Sequence, residues 1–262
     1  MRELFDEVYG QSNLDPAEAV RKSTRTVQRK RFYTRVASVA APEGFAITLD
    51  EKPVRTPSRK TLTAPVQSLA EMLVAEWSAQ AEFIDPMSMP LTRLANSVID
   101  GVVENAAVVA EDIVKFSGSD LLFYRAAHPA ELVAREAAAW DPVLFWLADE
   151  LGAHFIIAEG IIHVSQPEQA VNVVRAALPT EPWPVAALHL VTTITGSALL
   201  AVALWRGKLD ADQVWAAAHV DDDWSVEHWG MDEEVAVRRA SRKVDFMAAA
   251  EVIKVLRPSA QA

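Results

Sequence analysis

The sequence contains no cysteine among its 262 residues. Disulfide bonds, thiolate nucleophiles and cysteine-ligated zinc are therefore excluded. A protein without cysteine can also reside in a reducing compartment. The motifs that mark nucleotide-phosphate binding, serine hydrolases and zinc proteases are absent as well, since there is no GxGxxG, GxxxxGK[ST], GxSxG or HExxH. The six histidines form no HxH or HxxxH pair. These absences argue against the enzyme classes that are most easily identified from sequence.

Positive charge is scarce in most of the chain. The formal net charge is −11, but residues 1–63 carry 12 Lys and Arg against 8 Asp and Glu, whereas residues 64–262 carry 13 against 28. Nucleic-acid binding requires a basic face that neutralises phosphates, so this distribution argues against nucleic acid as a partner. An acidic body suits a protein that meets a basic partner surface.

The first residues, MRELFDEVYGQSNLDP, lack the features of a targeting segment. They carry acids within the first seven positions and contain no apolar run of signal-peptide length. They resemble neither a secretory signal nor an Arg-rich, acid-poor transit peptide. We therefore expect a cytoplasmic protein.

One long apolar run, WPVAALHLVTTITGSALLAVALW at 183–205, contains no formally charged residue. Its 23 residues are enough to span a bilayer. However, the run includes a histidine and several hydroxyl side chains, and Gly196 lies near its middle. We therefore favour a buried core helix that is broken near Gly196, and we predict no membrane insertion.

Periodicity divides the chain into three parts. Residues 1–30 are predicted to form an N-terminal arm. The basic segment 21–35, which overlaps the end of this arm, is interpreted as a solvated linker, with a contact to an acidic partner or to the acidic body of the same molecule as the alternative. Alternating patterns and turn residues predict a β-rich domain with one helix at 31–88. Residues 89–262 are predicted to form a helical domain with a short β-hairpin near 155–164. The expected fold class is α+β, with a small antiparallel β-rich N-terminal domain and a larger, mainly α-helical C-terminal domain.

The stretch HVDDDWSVEHWGMDEE at 219–234 concentrates acids and tryptophans. Seven acids lie between Asp221 and Glu234 without any Lys or Arg. A metal site, a catalytic carboxylate pair and a partner-binding surface are all conceivable. Calcium loops alternate their ligands and need a glycine turn, which three consecutive aspartates lack. A carboxylate pair requires burial in a cleft, whereas acids near helix ends are usually solvated.

Helical geometry gives this stretch a more specific interpretation. If 211–229 is one helix, Trp229 follows the apolar stripe, whereas Trp224 lies on the opposite side. Trp224 is then either sandwiched by a second protein layer or exposed for a partner. Gly230 is predicted to end the helix, and Asp232 to cap the next one. Glu233 and Glu234 would lie in its first turn, where the helix dipole favours them.

Several segments resemble a known family. The runs LDEKPVRTPSRKTLTAP and LAEMLVAEWSAQAEFIDPMSMPLTRLANSVID, followed by DLLFYRA, WDPVLFWLADELG and HWGMDEE, are similar to the chaperones that assemble the ATP synthase F(1) sector and act on its α subunit. The similarity covers about 32–253. It departs from the family pattern at Asp222, Trp224 and Ser225, and it keeps Trp229, Gly230 and Glu233.

The resemblance implies a non-enzymatic chaperone that binds the unassembled α subunit and prevents its aggregation until the β subunit replaces it. It also implies the β-then-helical fold and action in the bacterial cytoplasm, or in the mitochondrial matrix for a processed eukaryotic form. We expect no cofactor and no metal. We expect a monomer when the protein is free. The alternatives are a metal-dependent enzyme that uses the acidic cluster at 221–234, and a general holdase without a single client.

The resemblance also suggests residue roles. Glu233 corresponds to a functionally important acid, and Trp77 to a tryptophan needed for a sound protein, which we interpret as core packing at the domain junction. The candidates for partner binding are Glu233, Trp224, Asp222, Glu234 and His228. The candidates for structural roles are Trp77, Trp229, Gly230 and Asp232.

Overall fold

The computed structural model describes residues 29–258. A small antiparallel sheet is followed by a succession of helices, so the α+β class is confirmed. The sequence predictions for the arm at 1–28 lie outside the described residues, and the predicted boundaries between domains stay a prediction. The strands are β1 (Val36–Ala41), β2 (Gly44–Leu49), β3 (Lys52–Pro53), β4 (Thr63–Ala64), β5 (Tyr124–Arg125) and β6 (Ala158–Glu159).

The helices occupy most of the chain after residue 66. In chain order they are α1 (Gln67–Ser78), α2 (Pro90–Ser97), α3 (Ala106–Phe116), α4 (Ala130–Leu151), α5 (Glu168–Ala177), α6 (Pro182–Thr195), α7 (Ala198–Trp205), α8 (Ala211–Ala218), α9 (Val220–Trp229) and α10 (Glu233–Leu256). Short 3-10 helices lie at Pro86–Ser88 and Leu121–Phe123, and a π-helical turn at Val98–Val102 extends α2.

The sheet is built around β2. Strand β1 pairs with it along its whole length, and β3 and β4 pair with its two halves. Gly44 begins β2 with φ +117°, and a Cβ there would lie 2.2 Å from the Ala64 carbonyl oxygen, so the close approach of β4 requires glycine. The buried side of β2, which includes Ile47 and Leu49, packs against α1. One apolar core therefore continues from the sheet into the helices.

The apolar run at 183–205 forms two helices in the centre of the helical layer. Helix α6 packs against α10 and α3, and every residue of α7 is buried. Gly196 separates them with φ +73°, as expected from the sequence. Within residues 29–258, no helix is both long enough and apolar enough to cross a membrane.

One expectation about local structure is wrong. The segment near 155–164 does not form a hairpin: its one short strand, β6, pairs in parallel with β5. The isoleucine-rich sequence there instead becomes an exposed loop, because its neighbour in space is a strand more than thirty residues earlier. Helix α4 is continuous through Pro142.

Candidate functional site

The segment 211–229 is two helices and not one. Helix α8 begins with a capping box between Asp210 and Gln213, and it ends at His219, whose backbone is at φ −121° and ψ 21°. The His219 ring stacks on Trp215 with 3.9 Å between centroids, and its Nδ1 lies 2.8 Å from the Trp215 carbonyl oxygen. The expected single helix is wrong because these local contacts hold His219 outside helical geometry.

Helix α9 repeats the same pattern with its own tryptophan. Trp224 stacks on His228 at 4.0 Å, and the His228 Nδ1 lies 2.8 Å from the Trp224 carbonyl oxygen. The guanidinium of Arg135, on α4, lies 4.9 Å from the Trp224 ring centre. Both helices thus carry a W-x-x-x-H motif, which is readable in the sequence as WAAAH and WSVEH. This i, i+4 spacing predicts that each histidine contacts its tryptophan, but it does not distinguish a buried ring from an exposed one.

The two tryptophans of α9 have different outcomes. Trp224, expected to be either sandwiched by a second protein layer or exposed for a partner, is 5% exposed, in agreement with the first alternative. Trp229, expected in the core stripe, is 78% exposed, so that expectation is wrong. The position of Trp229 was mispredicted because the helical wheel was continued through His219, where the hydrogen-bonded helix is interrupted. The structure therefore leaves Trp229, and not Trp224, on the surface.

The end of α9 and the start of α10 follow the sequence prediction. Gly230 ends α9 at φ +79°, and its N–H donates to the Val226 carbonyl at 2.9 Å. Asp232 caps α10, because its carboxylate accepts from the N–H groups of Glu234 and Val235. Glu233 is the first residue of α10, and both glutamates are exposed.

Exposed apolar and acidic side chains follow one another in the sequence at this turn. We call this set of residues the α9–α10 surface, and it consists of Trp229, Met231, Glu233, Glu234, Val235 and Val237. Its four apolar members are between 36% and 78% exposed. Beside it lies a cavity of about 290 Å³ to which Asp222 and three arginines contribute, Arg238, Arg239 and Arg242.

The three consecutive aspartates point in different directions. Asp221 faces Glu136 on α4, Asp223 forms an ion pair with Arg239 on α10, and Asp222 lines the cavity. In the part of the chain from residue 29 to 258, no group of three or more His, Cys, Asp or Glu side chains is arranged to hold a metal ion. The structure thus disperses the acidic cluster on which a metal-dependent enzyme would depend.

Glu136 and Asp221 bring two carboxyl groups together between α4 and α9. The pKa of Glu136 is raised to about 7, chiefly by burial and also by the neighbouring Asp221, whereas the Ala126 N–H, 2.9 Å from its Oε2, acts in the opposite direction. Burial likewise raises the pKa of Asp221. The pair is therefore easily protonated near neutral pH, which allows one carboxyl to donate to the other.

Trp77 is half-buried and packs edge-on against Tyr33, with 5.9 Å between ring centres. The Tyr33 hydroxyl donates to the Trp77 carbonyl at 2.7 Å. This contact ties α1 to the segment that enters the sheet, and the Trp77 ring also lines a groove. A packing role for Trp77 stays a prediction.

Two exposed apolar features were missed by sequence reasoning. The loop before α5 exposes Ile156, Ile157, Ile161 and Ile162. The groove that Trp77 lines exposes Phe32 and Met87. Aliphatic and aromatic residues predict burial in general, so only the fold could identify these as surface.

Comparison with known proteins agrees with this architecture. Residues 30–148 match the family described as ATP12 chaperone protein. A chaperone candidate from Agrobacterium tumefaciens is 45% identical, with a TM-score of 0.84 over 97% of this chain and 96% of that one. Atp12 from Paracoccus denitrificans is 37% identical, with a TM-score of 0.81 over 87% of this chain and 99% of that one, and a point mutant of it gives 0.80. The family description and the Agrobacterium relative point to a chaperone role. The chain therefore belongs to the ATP12 chaperone family.

Proposed function

We propose that this protein is an assembly chaperone of the ATP synthase F(1) sector. It binds the unassembled α subunit, prevents its aggregation, and releases it when the β subunit takes its place. The site of action is the bacterial cytoplasm, in keeping with the bacterial relatives. Family membership supports the chaperone role, and the exposed Trp229 beside the acidic start of α10 is the observation that carries the proposed contact.

The α9–α10 surface has the composition of a binding site for a partner. Trp229 is 78% exposed, so its ring presents a large apolar area to water that a partner could cover. Exposed aromatic residues of this kind contribute much of the binding energy at protein interfaces. Glu233 and Glu234 follow Trp229 by four and five residues and add exposed negative charge to the same turn, so the complementary client surface is apolar with basic residues at its edge. A partly polar contact of this kind has moderate affinity, so the client can be released from it.

Neighbouring contacts hold this surface in place. Arg135 on α4 forms a 2.8 Å ion pair with Glu227, and Arg239 on α10 pairs with Asp223. Trp224 anchors the same helix from its buried side. A rigid platform loses little conformational entropy when it binds, which favours affinity without additional contacts.

These positions revise the proposed residue roles. Glu233, Glu234 and Trp229 contact the client directly. His228 and Asp222 border the surface, and His228 also stacks on Trp224. Trp224 supports the platform from below and does not contact the client, because its ring is buried.

The central test is Glu233→Lys in a client-protection assay. The variant is co-expressed with the α subunit, and soluble α subunit is measured after centrifugation. We expect a loss of about tenfold or more in soluble client, because a cation now faces a basic client rim. Glu168→Lys is the matched control, since Glu168 is also an exposed glutamate at the first position of a helix, α5. Both variants lose a similar helix-dipole contribution of about 0.3–1 kcal/mol.

Equal loss of protection by both variants would contradict a specific role for Glu233. A second pair of variants tests the apolar part: Trp229→Ser should abolish protection, whereas Phe145→Ser, on α4 and 65% exposed, should retain it. Far-UV circular dichroism and Tm verify that all four variants are folded. Equal protection of an unrelated aggregating protein would instead indicate a general holdase.

A further inference from the structure

A second recessed site lies on the β-rich part of the molecule. It is a groove of about 860 Å³ between the sheet and the segment that follows α1. Its lining is mostly apolar and includes Phe32, Pro53, Trp77, Ile84 and Met87. Phe32 is 59% exposed and Met87 is 63% exposed. Patches of this kind usually mark a binding site for an apolar segment.

Charged residues around the groove favour an acidic occupant. The cations Arg29, Lys52 and Arg55 belong to its lining. The two acids of the lining, Asp50 and Asp85, have carboxylates that already accept hydrogen bonds from backbone N–H groups. Their charge is therefore partly satisfied within the protein, which leaves a positive rim around an apolar floor.

The chain itself enters the described structure at this groove. The Arg29 carbonyl accepts a hydrogen bond from the Ile84 N–H at 2.9 Å, and the backbones of Lys30 and Phe83 form an isolated antiparallel β-bridge. The Arg29 guanidinium lies 5.0 Å from the centre of the Phe32 ring. Arg29, the first residue that the structure describes, therefore lies at the rim of the groove.

The chemistry of the N-terminal sequence matches the groove. Residues 3–9 read ELFDEVY, in which three acids alternate with apolar and aromatic side chains and no cation is present. The connecting residues 10–28 would span on the order of 25 Å even as a random coil, which lets residues 3–9 return to the rim. We propose that residues 3–9 bind in the groove of their own molecule and cover its apolar floor.

The absence of cysteine makes this proposal directly testable by disulfide trapping in the full chain. Leu4→Cys is combined with Met87→Cys in the groove, or with Val108→Cys on α3 as the matched control. Met87 and Val108 are 63% and 68% exposed, and Val108 does not line the groove. Under mild oxidation, we expect the pair with position 87 to close about tenfold faster or more, at a rate independent of protein concentration.

The charge complementarity is tested in the same background. Asp6→Lys with Glu7→Lys should slow closure at position 87 several-fold while leaving closure at position 108 unchanged. Gel mobility under non-reducing conditions and peptide mass spectrometry identify the bond. No effect of the charge reversal would contradict the role of the basic rim.

Three outcomes would overturn the proposal. Equal rates at positions 87 and 108 would mean that the arm does not favour the groove. A rate that rises with protein concentration would assign the groove to the arm of a second copy. If the position-87 thiol closes slowly in the free chain and becomes protected from maleimide only on addition of the α subunit, the occupant is the client.

Discussion

Two helix pairs of this protein are each interrupted by one short break, and only one of the breaks is visible in the sequence. Helices α6 and α7 are separated at Gly196, whereas α8 and α9 are separated at His219. The first break interrupts the most apolar run of the chain, and the second precedes its most acidic one. The comparison shows which kinds of helix end can be predicted.

The break at Gly196 depends on a backbone conformation that selects its residue. Its φ of +73° lies in the left-handed region, which costs other residues roughly 1 kcal/mol or more. Ser197 then caps α7 by accepting from the Leu200 N–H at 3.0 Å. A glycine followed by a serine is a recognisable helix stop and start.

The break at His219 depends on contacts and not on backbone preference. Its φ of −121° is accessible to any residue. What holds it is the stacked Trp215 ring and a buried position, and this burial lowers the pKa of the imidazole. The neutral ring is therefore favoured in the folded state. The stability of the folded state should decrease as the pH falls below about 6.5, the ordinary pKa of histidine.

The consequence of a missed break differs between the two pairs. Helix α7 is apolar all round and buried all round, so its rotation about the axis matters little for burial. Helix α9 is mostly polar, and only the phase of its two tryptophans distinguishes its faces. The interruption at His219, immediately before α9, therefore decides which of Trp224 and Trp229 is buried.

The largest expected effect is that of Trp224→Ala. Removing a buried ring that packs on His228 and Arg135 should lower the free energy of unfolding by about 3–5 kcal/mol. Trp229→Ala should change it by no more than about 0.5 kcal/mol, because that ring is exposed. Urea unfolding followed by circular dichroism measures both. Similar costs for the two variants would refute the arrangement of α9.

A smaller effect is expected from Asp120→Asn at the α6–α7 break. The fully buried carboxyl group of Asp120 accepts hydrogen bonds from the N–H groups of Leu122 and Leu199, at 3.2 and 3.0 Å. Asp120 belongs to neither α6 nor α7, and its bond to Leu199 holds the first turn of α7 in place. At pH 5 this carboxyl group is mostly protonated, but both of its oxygens can still accept a hydrogen bond from an N–H group. The amide nitrogen of Asp120→Asn cannot accept, so the substitution should cost about 2 kcal/mol at pH 5. Urea unfolding should detect this loss.

The pH dependence of that loss follows from the pKa of Asp120, which burial raises to about 6 from 3.8. The folded state therefore binds the proton more tightly, and the wild-type advantage is greatest below pH 4 and declines as the pH rises through 6. The deficit of Asp120→Asn should shrink over the same window. A deficit that grows toward pH 7 would contradict this account.

The smallest effect is expected where α9 meets α4. Glu136 has its pKa raised to about 7 from 4.5, so its contribution to stability is complete below pH 4.5 and is lost as the pH rises through 7. Glu136→Gln stays neutral and can keep the bond from the Ala126 N–H. Its Tm relative to wild type should rise by about 2–4 °C between pH 5 and pH 8.

Asp222→Asn serves as the control for this prediction, because it removes a charge from the same turn of α9 beside the Asp221 that faces Glu136. It should show a much smaller change over that pH range. Differential scanning calorimetry at several pH values provides the comparison. A flat difference for Glu136→Gln would mean that the pKa of Glu136 is not raised in the folded state.

The order of the elements was largely predictable. The alternating pattern before residue 65 and the helical period after it identified the sheet and the helices, since these periodicities are properties of the local sequence. Gly230 and Asp232 were recognised as a helix end and a cap for the same reason. The hairpin near 155–164 failed because β6 pairs with a distant strand, and pairing over long separations leaves no local signal.

The sequence alone determined the α+β class, the break at Gly196 and the cap at Asp232, because each depends on backbone preferences and on hydrogen bonds within a few residues. Only the tertiary structure decided that Trp224 is buried and Trp229 exposed, that the three aspartates diverge, and that Phe32 and Met87 line a groove. These features depend on which distant groups, such as Arg135, Glu136 and Arg239, reach the segment. Contacts between remote parts of the chain are set by packing of the whole core, and local pattern does not encode them.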